Sequence, residues 1–199
     1  IDVLKRCETI LQEGGKIIDI GAYSSRPDGI DITAEEEKNR LANVLGNIKK
    51  EFPESLLSVD TFRSEIAKMA VLDFGADIIN DISGGNMDKL MFETIATLKV
   101  PYILMHMKGT PQTMKNHNHY QDLISDLITY FANKVNELKL LGVADIIIDP
   151  GFGFAKNISQ NFQLLNNLDK FQFLDLPVLV GISRKSFIYK SLDTSPEMH

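Results

Sequence analysis

Residues 144–154 read ADIIIDPGFGF, and this stretch constrains the chain more than any other. Ile146, Ile147 and Ile148 run unbroken into Asp149, and a proline and two glycines then open a tight loop. A short run that is apolar on both faces describes a buried parallel strand, and here an acid lies at its carboxyl end. The same arrangement of strand, polar tip and loop recurs along the chain. Strands are expected over 16–21, 56–59, 77–79, 101–105, 146–148 and 177–181. Between them lie helical patterns over 1–13, 34–52, 64–74, 87–98, 122–141 and 161–168. Thr33 with Glu36 forms a capping-box pattern ahead of Leu41, Val44, Leu45 and Ile48, which recur at helical spacing.

Strand–helix alternation repeated six times predicts a parallel sheet with right-handed crossovers. Two architectures fit. A doubly wound sheet concentrates its site at one switch point, and no Gly-x-Gly-x-x-Gly follows the first strand. A barrel places polar residues at every strand's carboxyl end, as here. The expected fold is therefore α/β, a (β/α)8 TIM barrel represented by about six of its eight strands, forming one domain over 1–199. The missing strands would be the first and the eighth. The chain opens in mid-helix without Met, and both ends read as cuts through a longer protein.

Composition narrows the function classes. A net charge of −6 argues against general binding to nucleic acid or an acidic membrane, which draws on surplus Lys and Arg. No apolar run approaches the ~20 residues needed to cross a bilayer. The single cysteine, Cys7, excludes an internal disulfide framework, fits a reducing cytoplasmic setting and reads as a packed residue on the first helix. His117 and His119 lie in a polar loop without supporting acids or cysteines and read as solvated surface rather than a metal site.

The strand tips carry the chemistry. They offer Asp60, Asn80, Asp149 and Lys185, with His106 nearby and Ser25-Arg26 in the first loop. Each has a plainer reading. Asp60 could cap the next helix, Asn80-Asp81 could be turn residues, Asp149 could organise its own loop, and Lys185 could be solvated. Taken together, two acids, an amide and a lysine at one mouth suit a flat heteroaromatic ligand. A carboxylate accepts paired N–H groups, the amide donates and accepts, and the lysine donates to a ring oxygen or nitrogen.

These tips lie in stretches that resemble the dihydropteroate synthases of the pterin-binding barrel family. They are IIDIGAYSSRPDG (17–29), SVDTFRSEIA (58–67), ADIINDISGG (76–85), ILMHMKGTPQTM (103–114), DIIIDPGFGFAKN (145–157) and VLVGISRKSFI (178–188). The resemblance implies condensation of a dihydropterin methyl diphosphate with p-aminobenzoate, giving dihydropteroate and diphosphate for folate synthesis. It implies that Asp60, Asn80, Met105, Asp149, Gly181 and Lys185 bind the pterin. Asp149 would take the 2-amino and ring N–H edge, Asn80 and Asp60 the other ring nitrogens, and Lys185 the oxygen side. Ser25, Arg26, Pro27, Phe154 and Ser186 would serve the aminobenzoate, with Ser25 standing where the family's threonine is usual. Asp60, Lys185 and Arg26 would be the catalytic groups. The resemblance further implies small-molecule substrates, a cytoplasmic homodimer, a sulfonamide target and a Mg²⁺ cofactor whose usual ligand is not in this chain.

The family's first-strand Asn with its mobile loop, and its last-strand Arg-x-His, have no counterpart here. Two other readings share part of the pattern. One is a methyltetrahydrofolate-binding methyltransferase domain, which would lack Ser-Ser-Arg-Pro and Gly-Ile-Ser-Arg-Lys. The other is a pterin-binding fragment without activity. Schiff-base chemistry at Lys185 would need a desolvated amine of lowered pKa.

Overall fold

The computed structural model describes residues 2–26 and 29–195, with Lys115 described by its backbone alone. The chain alternates as expected: α1 (Val3–Gln12), β1 (Ile17–Gly21), α2 (Ala34–Glu51), β2 (Leu56–Asp60), α3 (Ser64–Leu72), β3 (Ile78–Asp81), α4 (Met91–Leu98), β4 (Tyr102–Met105), α5 (Leu123–Leu140), β5 (Ile146–Asp149), α6 (Ile158–Leu165) and α7 (Ser186–Ser191). Single turns of 3₁₀ helix lie at Met114–Asn116 and, more extended, at Leu168–Leu174.

The five strands form one parallel sheet in the order β1-β2-β3-β4-β5. Sequence order equals spatial order, so there is no reversal of the kind a doubly wound sheet needs. Strand parity then sorts the side chains. Ile18, Leu57, Val59, Ile79, Tyr102, Leu104, Ile146 and Ile148 join the core with helix residues Leu41, Leu45, Ile66, Phe131 and Leu138. On the opposite face the strand bases are open, with Ile17 and Leu56 each nearly half exposed. One face under helices and the other turned inward is the layout of a barrel wall.

The sixth expected strand does not form. Residues 177–181 make only an isolated bridge, Ile148 to Val178, through Ile148 N to Pro177 O at 3.0 Å and Leu179 N to Ile148 O at 2.8 Å. Pro177 has no N–H to give, and among the described residues no strand lies on the far side to continue the ladder.

Local signals explain most helix starts. Asp122 Oδ1 accepts from Ile124 N and Ser125 N, and Asn157 with Gln160 forms a complete capping box on α6. That cap starts α6 at 158 rather than near 161. The box expected on α2 is half made. Thr33 accepts from Glu36 N, but the Glu36 carboxylate pairs with Arg40 at 2.5 Å instead. Cys7 is buried, as its place on α1 required.

Candidate functional site

The carboxyl ends of the strands open on a common apolar floor. Phe62, Ile82, Met105, Met107, Met114 and Ala155 pack together there, joined by Tyr23, Met87 and Phe154. Every one of the five strands sends a residue to this cluster from its tip or following loop, which brings separate parts of the chain to one mouth.

Asp60 and Asn80 stand side by side in the β2–β3 register, both half-buried. Asp60 does not cap α3. That position belongs to Arg63, and Ser64 N is bound by Asp88 Oδ2 at 2.7 Å. Asn80 and Asp81 are strand residues rather than a turn, so they point to opposite faces. Asn80 Nδ2 donates to Asp19 Oδ2 at 3.1 Å, which places Asp19 of β1 in the same inward row. The sequence reading passed over Asp19. Its signal was the polar residue inside IIDIG, two positions before the tip. Ser58 completes the row, in register with Asp19, and its Oγ is buried without a hydrogen-bond partner among the described residues.

Asp60 accepts no hydrogen bond among the described residues. Burial, then the charges of Asp19, Asp81 and Glu37, push its carboxyl well above the usual carboxylate range. Beside it in the β1–β2 register, Gly21 is held close: a Cβ there would lie 3.1 Å from Asp60 Cβ.

Across the mouth, Asp149 is in register with Met105, and both are buried. Asp149 Oδ1 accepts Gly151 N at 2.8 Å. Burial raises its carboxyl, while that hydrogen bond and the Lys185 and Lys156 charges pull it back. Lys185 sits at the N-cap of α7 just after Arg184, which adopts φ +55°. Its Nζ lies 4.6 Å from the centre of the Phe154 ring, and Gly153 packs against its stem. Burial lowers the Lys185 pKa and Asp149 raises it. Asp149, Phe154 and Lys185 thus form one group.

The remaining residues are placed less tightly. Ser25 is half-buried and Arg26 exposed in the β1–α2 loop, and Pro27 lies outside the described residues. Ser186 opens α7 and is exposed, and Gly181 has open space where a Cβ would be. His106 does not join the mouth. It is buried on the helix side against Tyr130, with ring centres 4.8 Å apart. Burial and the Lys156 and Lys108 charges push its pKa well below the ordinary value. Lys156, which the sequence reading did not single out, is buried beside it. His117 lines a groove with Lys108 and Tyr130 that also takes in the floor residues Met87 and Met107. Among the described residues no three His, Cys, Asp or Glu side chains gather as a metal site.

Two loops that shape the mouth are braced from behind. Glu37, fully buried, accepts from the Arg63 guanidinium and from Thr61 Oγ1 at 2.7 Å. Arg63 also donates to Ile32 O at 2.7 Å and lies over the Phe62 and Tyr23 rings.

A family profile described as pterin binding enzyme matches residues 1–198. A dihydropteroate synthase from Synechocystis is 42% identical over 192 residues, covering 96% of this chain and 66% of that protein. The chain therefore spans just under two-thirds of that relative's length. Among solved structures, the Yersinia pestis dihydropteroate synthase in a sulfonamide drug complex superposes with a TM-score of 0.92 at 34% identity, covering 98% of this chain and 70% of that one. The Thermus thermophilus enzyme in complex with 4-aminobenzoate gives 0.89 at 36% identity, covering 98% and 74%.

Proposed function

The chain belongs to the pterin-binding enzyme family, and from that premise we propose that the protein is a dihydropteroate synthase. In this reading a dihydropterin methyl diphosphate and p-aminobenzoate meet at the mouth described above. The observation that carries the proposal is the pairing of Asp60, which accepts no hydrogen bond among the described residues, and its neighbour Asn80 with an Asp149–Lys185–Phe154 group on the opposite side of one apolar floor. A flat bicycle needs both an apolar bed and edge-on polar partners.

Asp149 would take the amidine-like N–H edge, Asn80 and Asp60 the other ring nitrogens, and Lys185 the ring oxygen, with Met105 and Gly181 against the ring faces. The pterin C–O bond to diphosphate breaks, the amine nitrogen forms the new C–N bond, and the amine then gives up a proton. Arg26 would offset the charge of the departing diphosphate. Among the described residues Asp60 lies beside carboxylates with no cation, so a positive charge developing on the pterin methylene would supply a counter-ion. Phe154, Ser25, Arg26, Pro27 and Ser186 would hold the aminobenzoate, whose proximity to the methylene carbon contributes several kcal/mol.

The Mg²⁺ that the resemblance implies stays a proposal. The described residues do not gather a ligand set for it. No helix among the described residues is long and apolar enough to cross a membrane. We further propose one domain, a cytoplasmic setting and a homodimer, on the resemblance and on the single cysteine being buried and free. The test is diphosphate release from the pterin substrate with and without p-aminobenzoate. Release that depends on the amine, with dihydropteroate formed in equal amount, is expected. Pterin binding without release would reduce the protein to a binding module.

A further inference from the structure

Lys156 has no part in the chemistry just set out, yet it is about nine-tenths buried directly behind the Asp149 loop. Its Nζ lies 3.1 Å from Gly151 O, 3.1 Å from Phe154 O and 3.3 Å from His106 Nδ1. An ammonium has three N–H donors and no acceptor, and here it meets three acceptors. Two of them are carbonyls within the loop itself. The third belongs to the residue after β4. One cation therefore closes the loop on itself and ties it to the neighbouring strand.

The backbone around it leaves little slack. Gly151 has φ +73°, and a Cβ there would fall 2.2 Å from His106 O, so the loop lies directly on the β4 tip. Ala155 also has positive φ, at +47°, and its carbonyl is held by Tyr120 Oη at 2.9 Å. Gly153 N donates to Asn161 Oδ1 at 2.7 Å, and Asn161 Nδ2 donates to Lys156 O at 3.3 Å. This loop starts at Asp149 and carries Phe154.

We propose that Lys156 is a positioning residue. Its ammonium clamps the β5 loop from behind, so that the Asp149 carboxylate and the Phe154 ring are aimed into the mouth, and it fixes His106 as the tautomer that carries its proton on Nε2. The inference rests on the pterin reading for its consequence, but the clamp itself does not. The groups facing Lys156 are Asp149, Lys108, Lys185 and the His106 ring, with Tyr120 and Tyr130 beside that ring. Burial and the two lysines lower its pKa to about 7, against the pull of Asp149. Raising the pH through that value removes one of three donors, leaving two for three acceptors. Lys156 also helps keep Asp149 ionised. Without it, the Asp149 carboxyl shifts further upward and the acid limb of pterin binding moves to higher pH.

The experiment uses the protein as encoded, with 6-hydroxymethylpterin as the probe. Binding is followed from pH 5.5 to 9 for wild type, Lys156→Met and Asp149→Asn, alongside ¹⁵N spectra of the histidine rings at pH 6. Wild type is expected to lose affinity above a midpoint near 7. Lys156→Met is expected to bind roughly ten- to a hundredfold more weakly and to lack that alkaline limb. The His106 ring in wild type is expected to be neutral and protonated on Nε2. Lys156→Met binding like wild type with the same pH profile overturns the proposal, and so does a wild-type His106 protonated on Nδ1. If Lys156→Met does not fold, the wild-type tautomer and pH limb still decide. Failure of wild type to bind the pterin would sink the functional reading instead, leaving the tautomer to judge the clamp.

Discussion

Asp81 and Asp60 are both acids at the ends of neighbouring strands, and they live opposite lives. Asp81 faces the helices, is fully buried, and accepts from Tyr102 Oη at 2.6 Å, Ser83 N at 2.7 Å and Gly85 N at 2.8 Å. Glu37 on the same side is likewise satisfied, by Arg63 and Thr61. Asp60 faces inward and accepts nothing among the described residues, and Asp149 accepts one backbone N–H. The outward acids complete the fold. Asp60 and Asp149 leave most of their lone pairs unused by the described residues, at a cost to the fold.

Substitutions can break that contrast. The largest effect is expected for Asp149→Asn, which replaces an acceptor with a mixed donor facing ring N–H groups. Pterin affinity should fall by about 2–5 kcal/mol by calorimetry, and unchanged affinity would refute its role. Asp60→Asn should reduce turnover by roughly 10²–10³-fold while making the ligand-free protein more stable at neutral pH. The sign follows from its raised carboxyl. A group that binds its proton more tightly folded than unfolded loses stability as pH rises through the folded value. Removing it should gain about 1 kcal/mol, read from thermal melts, and a loss of stability would contradict the inward row as drawn.

Asp81→Asn should show the reverse. It leaves Tyr102 Oη and two backbone N–H groups competing for one amide oxygen, costing about 2–4 kcal/mol of stability. Pterin affinity of the folded protein should stay near wild type. The smallest change is expected at Ser58→Ala. Its hydroxyl is buried without a partner among the described residues, so its removal should leave stability unchanged or raise it by up to about 1 kcal/mol. A large loss would mean that the inward row is held by a bond to Ser58.

Much of this was legible in the residues. The run of three isoleucines before Asp149 and the helical spacing in 34–52 and 122–141 each signal locally, and each element formed where expected within a residue or two. The stretch 177–181 has the right apolar composition but not the neighbour a ladder requires, so only one bridge formed. Asn80-Asp81 looks like one polar tip in the sequence, whereas the pleat divides it between the site and the core. Lys156 gives no signal of its own in the chain, because a lysine seven residues past a strand is ordinary until it is buried among two carbonyls and an imidazole.

The sequence by itself determined the alternation of strands and helices and the residues offered at each tip, since hydrophobic period, caps and turn residues act over a few positions. Only the tertiary structure decided which of those polar groups are consumed by the protein and which are left open. Burial and the deciding partners, such as Tyr102 for Asp81, Arg63 for Glu37 and His106 for Lys156, come from segments 21, 26 and 50 residues away, and the chain does not record them until the sheet is assembled.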